Sequence, residues 1–121
     1  MFVSTRTTKD ESLRSIQNDV LHSKKIGNNT FEVIYKDGNR AIRLHKTDVV
    51  TFGASLYTIN TNGWQTPTTK DRINKYSPQI YVFQNDFKWY VHTNDGNLEY
   101  YDGMRFDYFG KHIPFQEKTN D

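Results

Sequence analysis

The stretch QIYVFQNDFKWYVH, from Gln79 to His92, limits the possible folds more than any other part of the chain. Two runs of aromatic and β-branched residues flank Asn85-Asp86, and a polar pair between such runs signals a β-hairpin. A two-residue loop pairs Val82 with Trp89 and Ile80 with Val91 on an apolar face. The same register sets Tyr81 opposite Tyr90, and Phe83 opposite Lys88, on the other face. That second face carries three aromatic rings beyond the needs of a small core. Tyr81, Phe83 and Tyr90 are therefore read as a candidate interface, or as a second core layer under a helix.

Other segments repeat the pattern. TFEVIY and RAIRLH flank KDGN, and Asp37-Gly38 suits a type I′ turn. That turn places Phe31 opposite Leu44, Val33 opposite Ile42, and Glu32 opposite Arg43. A second hairpin runs through TDVVTF, a bend at Gly53-Ala54-Ser55, and LYTIN, with no clean alternation to fix its register. LEYYDGMRFDYFG reads as a last, shorter strand pair turning at Asp102-Gly103. Ahead of the strands, Leu13, Ile16, Val20 and Leu21 form one apolar stripe at helical spacing. Thr8 with Glu11 gives that helix a capping box, and Gly27 with Asn28-Asn29 ends it. The expectation is an α+β fold: an N-terminal helix, antiparallel hairpins forming a sheet, and one short helix near residues 69–76.

With 121 residues, one domain over 1–121 is expected, with a polar tail at 116–121. There is no cysteine, which excludes disulfides and thiolate metal sites. The start, MFVSTRTTKDESLRS, lacks the apolar run of a secretory signal, and no window is apolar and long enough for a membrane span. A formal charge of +2 is weak for a duplex-DNA binder and wrong for an acidic DNA mimic.

The polar stretch NTNGWQTPTTKDRIN, Asn60–Asn74, holds four threonines, three asparagines and one aliphatic residue, Ile73. Asn62-Gly63 signals a turn, and Trp64 follows it. Pro67 fixes the chain ahead of Thr68 and Thr69, either of which suits the cap of a short helix that ends before Pro78. A capped helix start with Lys70 and Arg72 nearby is a candidate anion site, and Trp64 a candidate stacking surface. A well-capped surface helix with solvated cations explains the same residues without a ligand.

Arg43, His45 and Thr47 alternate onto one strand face, and Asp48 follows. His45 and Asp48 differ in parity, so they point to opposite faces of a regular strand and do not form an acid–base pair. An Arg43–Glu32 pair across the hairpin, with His45 partly buried, is the plainer reading. His22, His45, His92 and His112 show no metal-ligand spacing, so no metal and no cofactor are expected.

At RLHKTDVVTF, NTNGWQTPTTKDRIN, IYVFQNDFKWYV and YYDGMRF, from Arg43 to Phe106, the chain resembles the phage anti-Thoeris proteins that act as sponges for cyclic nucleotide signals. Gly63-Trp64, Thr68-Thr69-Lys70, Arg72 and Asn74 are the most specific piece; the chain departs from the pattern at Asn62 and Pro67. The resemblance implies a homo-oligomeric, non-enzymatic protein acting in the cytoplasm of the infected host. Its ligand would be a cyclic ADP-ribose isomer made by a TIR protein. That ligand carries a pyrophosphate, riboses and an adenine, which ask for cations, hydroxyl or amide groups, and an aromatic face. The ligand-binding set chosen on that chemistry is Arg43, His45, Asn62, Trp64, Thr68, Thr69, Lys70, Arg72 and Asn74. Two alternatives remain open at this point. One is a small phosphodiesterase or ribonuclease using His45 or His92 with Lys70 and Arg72. The other is an inhibitor of a host defence or CRISPR enzyme that binds through the aromatic face.

Overall fold

The computed structural model describes residues 19–115. Within them the chain is mostly β, with nine strands and one helix. The strands are β1 (Val20–Gly27), β2 (Thr30–Tyr35), β3 (Arg40–Leu44), β4 (Thr47–Phe52), β5 (Leu56–Ile59), β6 (Tyr81–Asn85), β7 (Lys88–Thr93), β8 (Gly96–Glu99) and β9 (Met104–Asp107). The helix, α1, is Pro67–Tyr76 and lies between β5 and β6. One antiparallel sheet runs β1-β2-β3-β4-β5-β9, and a second runs β6-β7-β8.

The α+β expectation is corrected by its first element. Val20 and Leu21, placed on a helical stripe, lie in β1, which pairs with β2 from Val20↔Tyr35 to Gly27↔Thr30. Leu21 is 66% exposed, so it supplies no buried stripe. Gly27, Asn28 and Asn29, read as a helix stop, make the β1–β2 turn, with Asn29 at φ 52°. Helix stops and hairpin turns use the same residues because both need left-handed backbone. Thr8, Glu11, Leu13 and Ile16 lie outside the described residues, as does the polar tail 116–121.

Two hairpins form with shifted registers. Between β2 and β3 the loop is three residues, closed by Tyr35 N–H to Asn39 O at 2.8 Å and Gly38 N–H to Tyr35 O at 2.9 Å. Of the loop residues only Gly38 has positive φ, so the turn is the type I form with a glycine bulge, not type I′. Phe31 therefore faces Arg43, Val33 faces Ala41 and Glu32 faces Ile42. Between β6 and β7 the turn is Asp86-Phe87, both at positive φ (55° and 70°), one position beyond Asn85-Asp86. Val82 faces Val91, Phe83 faces Tyr90, and Tyr81 faces His92. That slip moves each partner by two, so every side chain keeps its expected face. The expected terminal strand pair does not form: β8 pairs with β7, and β9 with β5.

Both sheets and α1 close on one core, which includes Ile42, Val50, Phe52, Tyr57, Ile59, Ile73, Val82, Trp89, Val91, Met104 and Phe106. Tyr57 is fully buried, with the rings of Phe106 and Tyr108 at 5.7 and 5.5 Å. The β3–β4 register breaks between Ile42↔Val50 and Arg43↔Asp48, leaving Val49 as an extra residue. This bulge turns both Val49 and Val50 inward, which is why β4 shows no clean alternation.

Helix α1 begins where Thr66 caps it: Thr66 Oγ1 accepts from Thr69 N–H at 3.1 Å, and Pro67 takes the first helical position. Proline is favoured there because its missing N–H has no helical partner to lose. Thr68 and Thr69 thus lie within the first turn. Ser77 ends the helix ahead of Pro78, as the sequence anticipates.

Candidate functional site

A pocket of about 670 Å³ opens where the β3–β4 turn meets the loop between β5 and α1. The Val49 bulge gives it an apolar floor of Leu44 and Val49. One wall is the His45-Lys46 turn, followed by Thr47. His45 holds φ 56° and donates its N–H to Asn29 O at 2.8 Å. Its side chain is exposed at the turn, not partly buried as expected. The opposite wall is Thr61, Asn62 and Trp64, and the helix start contributes Thr66, Thr68 and Thr69. No carboxylate is among these lining residues.

The loop wall is held in detail. Trp64 N–H bonds Thr61 O at 2.9 Å, and the two residues between, Asn62 and Gly63, have φ of 54° and 84°. Those angles suit a type I′ turn. Asp102, in the loop between β8 and β9, accepts from Thr61 N–H (2.8 Å), Thr61 Oγ1 (2.8 Å), Gly63 N–H (3.1 Å) and Tyr100 Oη (2.5 Å). Burial alone would raise the Asp102 pKa; the hydrogen bonds from Tyr100, Thr61 and Gly63 outweigh it and hold it below the ordinary value. Burial, and then the same contact with Asp102, push the Tyr100 phenol up. The Trp64 ring stays 65% exposed at the pocket rim.

Five of the nine expected ligand residues meet in this pocket: His45, Asn62, Trp64, Thr68 and Thr69. The other four are engaged elsewhere. Arg43 Nε bonds Asp48 Oδ1 at 2.7 Å, and its Nη2 bonds Tyr35 Oη at 2.8 Å. Tyr35 in turn donates to Asp48, and burial with that carboxylate raises its pKa to about 12. The bulge lets Arg43 and Asp48 share a face, so the expected Arg43–Glu32 pair is replaced and Glu32 pairs with Arg40 at 3.2 Å. Arg72 Nε donates to Thr30 Oγ1 at 2.8 Å, tying α1 to β2. Lys70 Nζ lies 5.7 Å from the Trp89 ring centroid. Asn74 donates to Val82 O at 2.9 Å and accepts from Val82 N–H at 2.6 Å. Arg72 and Asn74 thus serve the fold, and the cation in the pocket wall is Lys46.

Lys46, Thr47, Thr61, Thr66 and Asp102 were missed. HKT between RL and VV carries the signal of a two-residue turn, and Thr66-Pro67 that of a capped helix start. Asp102 gives no local signal for its contact with Thr61, 41 residues away. Tyr81, Phe83 and Tyr90 form a run of neighbouring rings on the outer face of the second sheet. Tyr81–Phe83 and Phe83–Tyr90 centroids are 5.8 and 5.7 Å apart, and Tyr81 is 51% exposed. Among the described residues, no group of three or more His, Cys, Asp or Glu is placed to hold a metal, and no helix is long and apolar enough to cross a membrane.

Fold and site together define a small two-sheet antiparallel β protein with a mixed polar and apolar pocket, its lining free of carboxylates, at the start of its helix. The chain belongs to the Kyanoviridae Gp96 protein family, whose model matches residues 5–107, and it is a phage protein. No curated protein and no solved structure matches it. The family match bears on phage origin alone.

Proposed function

We propose that this phage protein captures a small anionic nucleotide in the pocket between the His45-Lys46 turn and Trp64, and leaves it chemically intact. The ligand class is a cyclic ADP-ribose isomer, and the role is removal of an immune signal in the cytoplasm of the infected cell. The observation that carries the reading is an exposed indole at the rim of a pocket that sets Lys46, Asn62 and threonine hydroxyls beside apolar Leu44 and Val49, with no carboxylate in its lining. Its volume of about 670 Å³ lies in the ~300–1,000 Å³ range of small-molecule sites. Trp64 offers a face to a base. Lys46 offers charge to a phosphate, and the Thr47, Thr68 and Asn62 side chains offer hydrogen bonds to ribose. Leu44 and Val49 offer the ligand apolar contact.

The lining favours binding over turnover. His45 is the one imidazole in the lining, and no lining carboxylate orients it. Asp48 is committed to Arg43 and Tyr35.

Calorimetry with cyclic ADP-ribose isomers tests the reading, followed by heat release and mass spectrometry of the ligand. Binding near one per chain or per shared pocket, with ligand of unchanged mass and retention time, is expected. Trp64→Ala should weaken binding by about 1–3 kcal/mol, the scale of base–aromatic stacking, with little change in melting temperature. Linearised product in excess over protein, absent from a boiled control, would mean an enzyme; no heat of binding for any isomer would end the ligand assignment.

A further inference from the structure

Asp102 lies outside the pocket lining, yet the loop that carries Asn62 and Trp64 is tied to its carboxylate. Two backbone N–H groups, Thr61 and Gly63, and two hydroxyls, Thr61 and Tyr100, converge on its two oxygens. Thr61 N–H, Thr61 Oγ1 and Tyr100 Oη meet one oxygen and Gly63 N–H meets the other, so both oxygens must be acceptors. An asparagine in its place presents one oxygen and two N–H donors, one of which would face the Gly63 N–H. The partners on the other side are firmly placed. Tyr100 is 7% exposed, its ring meets Trp89 edge-on at 5.5 Å, and its N–H bonds Trp89 O at 2.9 Å. Gly103 N–H bonds Ile59 O at 2.9 Å, which holds the residue after Asp102 against β5.

The loop needs such an anchor. Asn62-Gly63 gives the turn its left-handed shape locally, but where the turn sits against the core depends on contacts from outside it. Within the turn itself one backbone bond, Trp64 N–H to Thr61 O, closes it. The Asn62 side chain is exposed and the Trp64 residue is 65% exposed, so core packing does little to fix either. We infer that Asp102 is the positioning residue of the pocket: through Thr61 and Gly63 it fixes the Asn62–Trp64 wall in the geometry that meets a ligand. Tyr100 completes the device by joining the carboxylate to the core of the second sheet. What is positioned rests on the pocket reading above; that the loop is held does not.

The test compares wild type, Asp102→Asn, and Val33→Ala. Val33 is fully buried in β2 and outside the pocket lining, so its truncation lowers stability without touching the loop. Amide exchange at Gly63 by NMR, and iodide quenching of Trp64, read the loop without ligand; Trp89, 6% exposed, is shielded from iodide. Calorimetry with cyclic ADP-ribose reads affinity. In Asp102→Asn, Gly63, whose N–H also bonds Thr61 Oγ1 at 3.1 Å, should lose part of its protection, and Trp64 should become more quenchable. Affinity should fall about tenfold to a hundredfold, as loss of outer-layer orienting partners costs elsewhere. Val33→Ala should leave all three unchanged. Should Asp102→Asn fail to fold, Tyr100→Phe removes one donor to the same carboxylate from outside the pocket lining and should give the same changes in smaller measure. Wild-type Gly63 exchange in these variants, or lost protection with wild-type affinity, would overturn the positioning role. If wild type binds no probe, the pocket reading falls, and Gly63 exchange still decides whether Asp102 holds the loop.

Discussion

Asn74 supports a prediction that separates the structural from the ligand-binding reading of one residue. It lies in α1 and closes the outer edge of β6. Its side-chain amide donates to Val82 O at 2.9 Å and accepts from Val82 N–H at 2.6 Å, as a neighbouring strand would. Val82 is 1% exposed, so water does not readily replace either contact. Asn74→Ala leaves one buried donor and one buried acceptor unmade, at about 1–3 kcal/mol each. The expected loss is about 2–5 kcal/mol, a large part of the ~5–15 kcal/mol that holds a domain of this size. At roughly 4–8 °C per kcal/mol, melting should fall by at least ~8 °C. Asn74→Asp should be nearly as damaging, because its carboxylate keeps the Val82 N–H contact and opposes Val82 O. Urea denaturation gives the stability, and calorimetry with cyclic ADP-ribose on the folded fraction gives the affinity. Loss of stability with wild-type affinity is expected. A loss below about 0.5 kcal/mol, the range of ordinary surface changes, would refute the edge-closing role. Lost affinity at full stability would return Asn74 to the ligand.

The remaining predictions test other parts of the fold. Phe87 has φ 70° in the β6–β7 turn and is 91% exposed, so Phe87→Gly should stabilise the protein by about 1 kcal/mol in urea melts. Asp102, with its pKa lowered, contributes stability that is complete above its unfolded pKa near 4 and is lost as pH falls through its lower folded value; Asp102→Asn should flatten that acid limb. Tyr35, raised to about 12, contributes stability that is complete below about pH 10 and lost as pH rises through 12, so Tyr35→Phe should flatten the alkaline limb of the same melts. The adjoining rings of Tyr81, exposed, and of Phe83 and Tyr90, half-buried, predict self-association through that face, which light scattering should detect at micromolar concentration and Tyr81→Ser with Phe83→Ser should abolish; a monomeric wild type would refute it.

The parts of the fold legible in the sequence were those with local causes. The β6–β7 hairpin was read with the turn one residue early, and its faces survived because partners moved by two. The β2–β3 hairpin slipped by one, and burial could not correct it. Val33 and Ala41 are fully buried on one face of that pair, while Thr30, Ile42 and Leu44 are buried on the other. A strand covered on both faces gives no parity signal. Val20 and Leu21 matched a helical stripe by spacing alone, and pairing with β2 overrode it.

For the site, legibility followed the range of the interactions. Asn62-Gly63 and Trp64 were found because a turn dipeptide and an unpaired indole are visible within three residues. Lys70 and Arg72 do not line the pocket, for a related reason. Lys70 and Arg72 lie close to the threonines in sequence, but a helix directs side chains by its 3.6-residue period, which takes Arg72 to Thr30 and Lys70 toward Trp89. Lys46 is 20 residues or more from Thr66 and reaches the same pocket because the Val49 bulge and the two-residue turn bring the end of β3 beside the helix start. Asp102 is more distant again, and its four donors come from two separate loops. A sequence pattern can display which polar groups are present. Which of them share a pocket depends on where the bulge falls and which strand β9 joins, and both are settled by packing of the whole core.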